Sequence, residues 1–129
     1  MTDPDFPEEL RAFIRDHITD VDAVELLLLL ARDRDRTYDI AALVADLRPS
    51  AIAEMAVRKH LAVFEERGLV TSSKEGRCRY SPVRPELDAV VRALSRVYNE
   101  RPVTLVRMIY ALKDEKIRSF ADAFRLKKS

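Results

Sequence analysis

The stretch that decides the fold is residues 55–70, which read MAVRKHLAVFEERGLV. Its apolar residues, together with those just upstream, fall near one stripe of a helix. They include Ile52, Leu61 and Phe64. Ser50 is a suitable N-cap, and Gly68 is the residue type that ends helices at the C′ position. The pattern therefore predicts one long helix over residues 51–67, followed at once by an extended segment.

The segment after this helix has the pattern of a β-hairpin. Residues 69–73 and 77–81 are short strand candidates, and Lys74, Glu75 and Gly76 between them have the composition of a turn. Side chains of a strand alternate between its two faces, so Arg77 and Arg79 share one face while Cys78 lies on the other. Cys78 on that inward face is interpreted as a small buried apolar residue.

Three further helices are predicted upstream of residue 51. The first covers residues 8–18, the second runs from an Asp20 cap to Arg32, and the third runs over residues 40–47 with Asp39 as its cap. Thr37 and Tyr38 form a brief extended segment just before this last helix.

Downstream of Pro82 the apolar spacing is again helical. It predicts a helix through residues 87–98, a second one over 102–112, and a separate amphipathic helix over 114–126. Such terminal helices are candidates for pairing two copies of the chain. The residues predicted at this dimer or partner interface are Phe13, Leu94, Tyr98, Ile109, Ile117, Phe120 and Phe124.

The order of helix, helix, longer helix and hairpin is typical of a winged helix-turn-helix. Within it, residues 55–70 resemble the recognition helix and following strand of MarR-like and ArsR-like bacterial regulators, and the resemblance covers about residues 20–82. We therefore expect a mainly α chain with a small β-hairpin wing (α+β). It would have an N-terminal helix over 1–19, a winged helix-turn-helix domain over 20–82, and a helical dimerisation or docking region over 83–129.

The resemblance implies a transcriptional regulator that binds double-stranded DNA, with helix 51–67 in the major groove and the 69–81 hairpin as wing. Outward basic side chains would read base edges or neutralise phosphates. Glu54 at the leading edge of the helix and Glu75 at the wing tip oppose this interpretation, because either would repel phosphate unless paired. The candidate DNA-binding residues are Met55, Arg58, Lys59, Lys74, Arg77 and Arg79.

Charge is distributed unevenly along the chain. Residues 1–49 carry six Lys or Arg against twelve Asp or Glu, for a net −6. Residues 50–82 carry six against four, for +2, and residues 83–129 carry eleven against six, for +5. A basic second half can face phosphate, whereas the acidic first half weakens long-range attraction to nucleic acid.

The residues that catalysis or metal binding would require are scarce. A single Cys78 excludes an internal disulfide, and His17 and His60 are too far apart in sequence to indicate a metal cluster. We interpret His17 as solvated and His60 as a residue at the surface or boundary of its helix. We expect no cofactor, no metal and no enzymatic activity. The longest apolar run is too short to cross a bilayer and the first ten residues are not signal-like, so we expect a cytoplasmic protein.

Two alternatives remain open at the level of sequence. A winged-helix module that has lost DNA binding would dock a protein partner through its basic C-terminal helices. A regulator that responds to a ligand would hold it between the core and the terminal helices, but no polar group of residues nominates that ligand.

Overall fold

The computed structural model describes residues 6–126, with side chains as far as Ala123. This part of the chain is mainly helical and carries one small antiparallel sheet, in agreement with the predicted α+β class. A 3₁₀ turn at Arg48–Ser50 separates the third helix from the fourth. The elements are α1 (Glu8–His17), α2 (Val21–Arg32), α3 (Ile40–Asp46), α4 (Glu54–Glu66), β1 (Val70–Ser72), β2 (Cys78–Tyr80), α5 (Pro85–Glu100) and α6 (Pro102–Leu126).

Two helix starts predicted from aspartate caps are confirmed. The Asp20 carboxylate accepts a hydrogen bond of 3.0 Å from the backbone N–H of Ala23 at the start of α2. Asp39 accepts one of 2.7 Å from the N–H of Ala42 at the start of α3. Each bond satisfies a backbone donor that the first turn of a helix leaves without an intrahelical partner.

Helix α2 lies at the centre of the fold. It packs against α4, α5 and β2, and this accounts for its nearly uniform apolar sequence. Helix α1 packs on α5 and α6 instead. The buried side chains of α2 are Ala23, Val24, Leu26, Leu27 and Leu30, and those of α1 are Leu10, Phe13 and Ile14.

The start of α4 differs from the sequence prediction. The helix begins at Glu54 rather than Ala51, because Ala51 adopts a left-handed conformation with φ of 54° after the 3₁₀ turn. Ser50 therefore does not cap α4, and its hydroxyl donates a hydrogen bond to Glu25 on α2 instead. The N-cap residue of α4 is Ala53, which has no side chain that can cap the helix.

The end of α4 confirms the predicted role of Gly68. The N–H of Gly68 bonds to the Glu65 carbonyl at 3.2 Å, and the N–H of Leu69 bonds to the Phe64 carbonyl at 2.9 Å. This pair of bonds is the Schellman arrangement, and it requires a left-handed residue at the position of Gly68, where φ is +78°. The chain thereby turns directly from α4 into β1.

The hairpin has the predicted antiparallel pairing, with Val70 opposite Tyr80 and Ser72 opposite Cys78. Tyr38 adds a single bridge on the other side of β2, because its N–H and carbonyl both bond to the backbone of Cys78, at 2.9 and 2.8 Å. The extended segment predicted at Tyr38 is therefore present. It connects the hairpin to the chain just ahead of α3.

Helix α6 corrects a second prediction. The two helices expected over 102–112 and 114–126 are one helix of 25 residues. The buried face of α6 ends at Leu112, and beyond it every described side chain is exposed. The helix continues past Leu112 because residues 103–126 contain no Gly or Pro that would interrupt it. No described helix is both long and apolar enough to span a membrane.

Candidate nucleic-acid interface

The outer face of α4 carries three of the predicted DNA-binding residues. Met55 is 82% exposed, and Arg58 and Lys59 are exposed one turn later. Their direction is set by the opposite face of the helix, which packs on α2 and α3. The buried side chains on that opposite face are Val57, His60, Leu61 and Phe64.

Glu54, which the sequence marked as an obstacle to phosphate binding, has a partner. Its carboxylate lies 3.4 Å from the guanidinium Nε of Arg58, at the i, i+4 spacing of one helical turn. Both side chains are mostly exposed, so water screens the pair and its contribution to stability is a few tenths of a kcal/mol at most. Such a pair is weak enough for a phosphate or a base edge to displace the carboxylate from Arg58.

The hairpin presents the other three predicted residues to solvent. Arg79 is exposed in the centre of β2 opposite Thr71, whereas its neighbours Cys78 and Tyr80 are buried. Lys74 is exposed at the turn, and Arg77 is exposed just before β2. The Ser73 carbonyl accepts a hydrogen bond of 3.1 Å from the Gly76 N–H, and this bond closes the turn.

The hairpin is held close to the C-terminal half of α4. Only the residues from Arg67 to Leu69 separate α4 from β1, and the Ser72 hydroxyl on β1 lies 3.3 Å from the Glu65 carboxylate on α4. The outer faces of helix and hairpin thus belong to one packed unit. Glu65, Glu66 and Glu75 are exposed on this unit and reduce its positive charge.

The predicted dimer or partner residues do not form one surface. The structure buries Phe13, Leu94 and Ile109 in the core of the single chain, where α1, α5 and α6 pack on each other. These three side chains offer nothing to a second molecule, so their assignment to an interface is corrected. Tyr98 is half-buried and donates a 2.9 Å hydrogen bond to Glu25.

Two of the remaining interface predictions lie on α6 and are open to solvent. Ile117 is 58% exposed and Phe120 is 73% exposed. The side chain of Phe124 lies outside the described residues.

His60, predicted at the surface or boundary of its helix, is buried. Its Nε2 lies 3.2 Å from Oδ1 of Asp20, the same oxygen that caps α2. His60 therefore connects the middle of α4 to the start of α2. A usable signal was present, because His60 follows Val57 by three residues and precedes Phe64 by four, and both of these side chains are buried.

A cleft of about 480 Å³ lies between α2, the 3₁₀ turn and α5. Its wall contains Asp88. The Asp88 carboxylate accepts a hydrogen bond of 2.8 Å from the Tyr80 hydroxyl and also forms ion pairs with Arg34 and Arg92. Burial alone would raise the pKa of Asp88, but the Tyr80 hydroxyl and the two guanidiniums together hold it below its ordinary value. Burial and the bond to Asp88 raise the pKa of the Tyr80 phenol, so it stays protonated and donates.

Cys78 has the environment of a structural residue. Its thiol is buried and lies 3.5 Å from the Tyr38 carbonyl. Burial raises the pKa of this thiol, so it is not a reactive thiolate near neutral pH. Over residues 6–126 no three His, Cys, Asp or Glu side chains converge as metal ligands would.

Comparison of the chain with protein-family models, curated proteins and solved structures finds no match.

Proposed function

We propose that the chain is a DNA-binding transcriptional regulator of the winged helix-turn-helix kind and acts as a homodimer. Helix α4 would enter the major groove, and the hairpin would act as the wing against the flanking backbone. The observation that carries the proposal is the exposed row of Met55, Arg58 and Lys59 on α4, opposite a fully buried face and followed directly by a basic hairpin.

The chemistry of these side chains suits the two parts of such an interface. The fork of an Arg58 guanidinium matches the two acceptors of a guanine edge, and Lys59 is a compact charge that suits a phosphate. Lys74, Arg77 and Arg79 would contact the backbone beside the groove. A dimer is part of the proposal because a single module buries too little DNA for strong specificity, and two half-sites about one helical turn apart solve this.

The test is binding to genomic DNA fragments over a series of salt concentrations. Affinity must fall steeply as salt rises, because each phosphate contact releases counterions. Substitution of Lys59 by alanine should weaken binding and flatten the salt dependence. Arg96→Ala is the matched control, since it removes the same charge from an exposed site on α5, outside α4 and the hairpin. Absence of binding at every salt concentration would overturn the proposal.

A second candidate is a protein-docking module without DNA binding. It is favoured by α6, whose described side chains beyond Leu112 are all exposed and combine basic residues with Ile117 and Phe120. Comparison of the full chain with one that ends at Leu112 separates the two functions. A docking module would lose its partner with the tail and would show no salt-dependent binding of DNA in either form.

A further inference from the structure

Helix α6 carries a second apolar stripe beside the one that packs into the core. The core stripe is Leu105, Ile109 and Leu112. The other, which we call the exposed stripe, occupies positions spaced alternately by three and four residues, the repeat by which two helices pack along their length. Its members are Val103, Val106, Tyr110, Lys113, Ile117 and Phe120.

The exposed stripe is mostly apolar and open to solvent. Five of its six residues are apolar or aromatic, and on a regular helix they fall within an arc of about 100°. Val103 is 63% exposed and Tyr110 is 52% exposed, while Val106 is half-buried. The stripe from Val103 to Phe120 is about 26 Å long at the normal rise of a helix. A surface of this length and spacing fits another helix better than it fits a small ligand.

The charges beside the exposed stripe indicate which helix that is. Arg107 and Asp114 lie seven residues apart on the same flank of the stripe, each directly after a stripe position. Both are exposed, and neither has an ion-pair partner among the described residues. When two copies of one helix run antiparallel, equivalent flanks face each other. Arg107 of one copy then meets Asp114 of the other, twice by symmetry.

The same register pairs the apolar positions with each other. When Val103 lies level with Phe120 of the second copy, Val106 lies level with its Ile117, and Arg107 and Asp114 are offset by only about 3 Å along the helix axis, within reach of their side chains. Lys113, the single charged member of the stripe, lies opposite Tyr110, where an ammonium over a phenol ring is favourable. One register therefore accommodates every member of the stripe and both flanking charges.

We propose that the exposed stripe of α6 is a homodimer interface in which two copies pair antiparallel with Val103 opposite Phe120. This inference deepens the proposed function, on which its biological purpose rests, because it names the partner surface of the dimer. Dimer formation itself can be measured in the absence of DNA.

Disulfide cross-linking between two different variants tests the register. Val103→Cys and Phe120→Cys chains are purified separately, mixed and oxidised under mild conditions. An antiparallel pair gives mainly the mixed Val103–Phe120 product, whereas a parallel pair gives the two self-linked products. Ser119→Cys replaces Phe120→Cys as the matched control, because residue 119 is exposed next to the stripe but outside it. The native Cys78 is buried, so the unmodified chain is a suitable blank.

Sedimentation of charge variants tests the flanking pairs. Arg107→Asp and Asp114→Arg should each weaken the dimer roughly tenfold, because each places like charges opposite each other. The double variant restores opposite charges and should recover most of the affinity. Ile117→Asp should give a monomer with unchanged helix content by circular dichroism, since the replaced side chain does not belong to the core.

Three results would overturn the inference. They are a monomer at micromolar concentration, self-linked products in place of the mixed one, and a monomer that instead binds anionic phospholipid vesicles through Ile117 and Phe120. A monomer would also remove the homodimer from the proposed function, whereas contact of α4 with DNA is read separately from Lys59→Ala. Conversely, a dimer with the predicted cross-link but no affinity for DNA would overturn the proposed function and leave the interface standing.

Discussion

The guanidinium Nε of Arg58 lies 3.4 Å from the carboxylate of Glu54, one turn earlier on α4. This pair forms at the uncapped start of the helix, where the exposed backbone N–H groups favour a negative charge. Glu54 thus compensates for the absent cap. At the same time it pairs with Arg58, whose guanidinium is the group best suited to contact a base in the proposed function. If the chain binds DNA as proposed, stability and DNA binding make opposite demands on Glu54.

Glu54→Gln should raise DNA affinity about threefold to tenfold at low salt, because it removes a charge that repels phosphate and releases Arg58. It should also lower the free energy of unfolding by roughly 0.5 kcal/mol, since the first turn loses its acidic residue. Both quantities are read from titration and urea denaturation. Glu100→Gln, exposed at the end of α5 and outside α4 and the hairpin, is the control, and a lower affinity in Glu54→Gln would contradict the assignment.

Arg58→Ala and Lys74→Ala should have different effects on DNA recognition. Loss of Arg58 should reduce the preference for the specific site by about 1 to 3 kcal/mol, because the proposed base contact would be lost. Loss of Lys74 at the hairpin turn should weaken binding to all DNA sequences about equally and reduce the salt dependence of binding. Competition between specific and random fragments measures both. Equal behaviour of the two variants would show that their roles are not divided in this way.

Gly68→Ala should destabilise the fold by about 2 kcal/mol, of which roughly half is the cost of a left-handed backbone and the rest steric overlap. A Cβ at residue 68 would lie 2.7 Å from Cγ2 of Val83. Gly76→Ala is a matched control, because its φ of +80° is similar but its Cβ would meet nothing within 4 Å. Urea denaturation should show the smaller loss for Gly76→Ala. A second change, Val83→Ala, should recover part of the loss at Gly68.

Tyr80→Phe should lower the free energy of unfolding by about 1 kcal/mol, because it removes the hydroxyl that donates to Asp88 at 2.8 Å. That bond connects β2 to α5, so the loss should be accompanied by faster hydrogen exchange in the hairpin. The double variant Tyr80→Phe with Asp88→Asn should lose less free energy of unfolding than the sum of the losses in the two single variants. Strict additivity would mean that the two groups do not interact.

Asp88 should make the stability of the protein depend on pH in the acid range. Its pKa is lower in the folded chain than in the unfolded one, so the folded state favours the carboxylate. The resulting stabilisation is present above the ordinary pKa of about 4 and is lost as pH falls through the lower folded value. Asp88→Asn should therefore destabilise clearly near pH 7 and much less once the pH has fallen below the pKa of Asp88 in the folded chain.

Local signals in the sequence were reliable where one residue decides a backbone conformation. Asp20 and Asp39 cap their helices because a short carboxylate reaches the N–H three residues on, whatever the rest of the fold does. Gly68 ends α4 for the same kind of reason. The alternation in β2 also depends only on strand geometry, and it correctly separated exposed Arg79 from buried Cys78.

The errors arose where distant elements compete for a residue. Ser50 was predicted to cap α4, but its hydroxyl donates a hydrogen bond to Glu25 on α2 instead. His60 was placed near solvent, but the Asp20 carboxylate at the start of α2 provides a polar partner inside the core. Phe13, Leu94 and Ile109 had the pattern of an interface, and the sequence could not distinguish an interface with a second copy from one between α1, α5 and α6.

The sequence by itself determined the order of the elements, most of their ends and the chemistry of the candidate DNA-binding side chains, since these depend on neighbours a few residues away. Only the tertiary structure decided which apolar faces are used within the chain. It assigned Leu105, Ile109 and Leu112 to the core and left Ile117 and Phe120 in solvent. Periodicity reports that a face is apolar, but what covers it depends on packing between segments far apart in the chain.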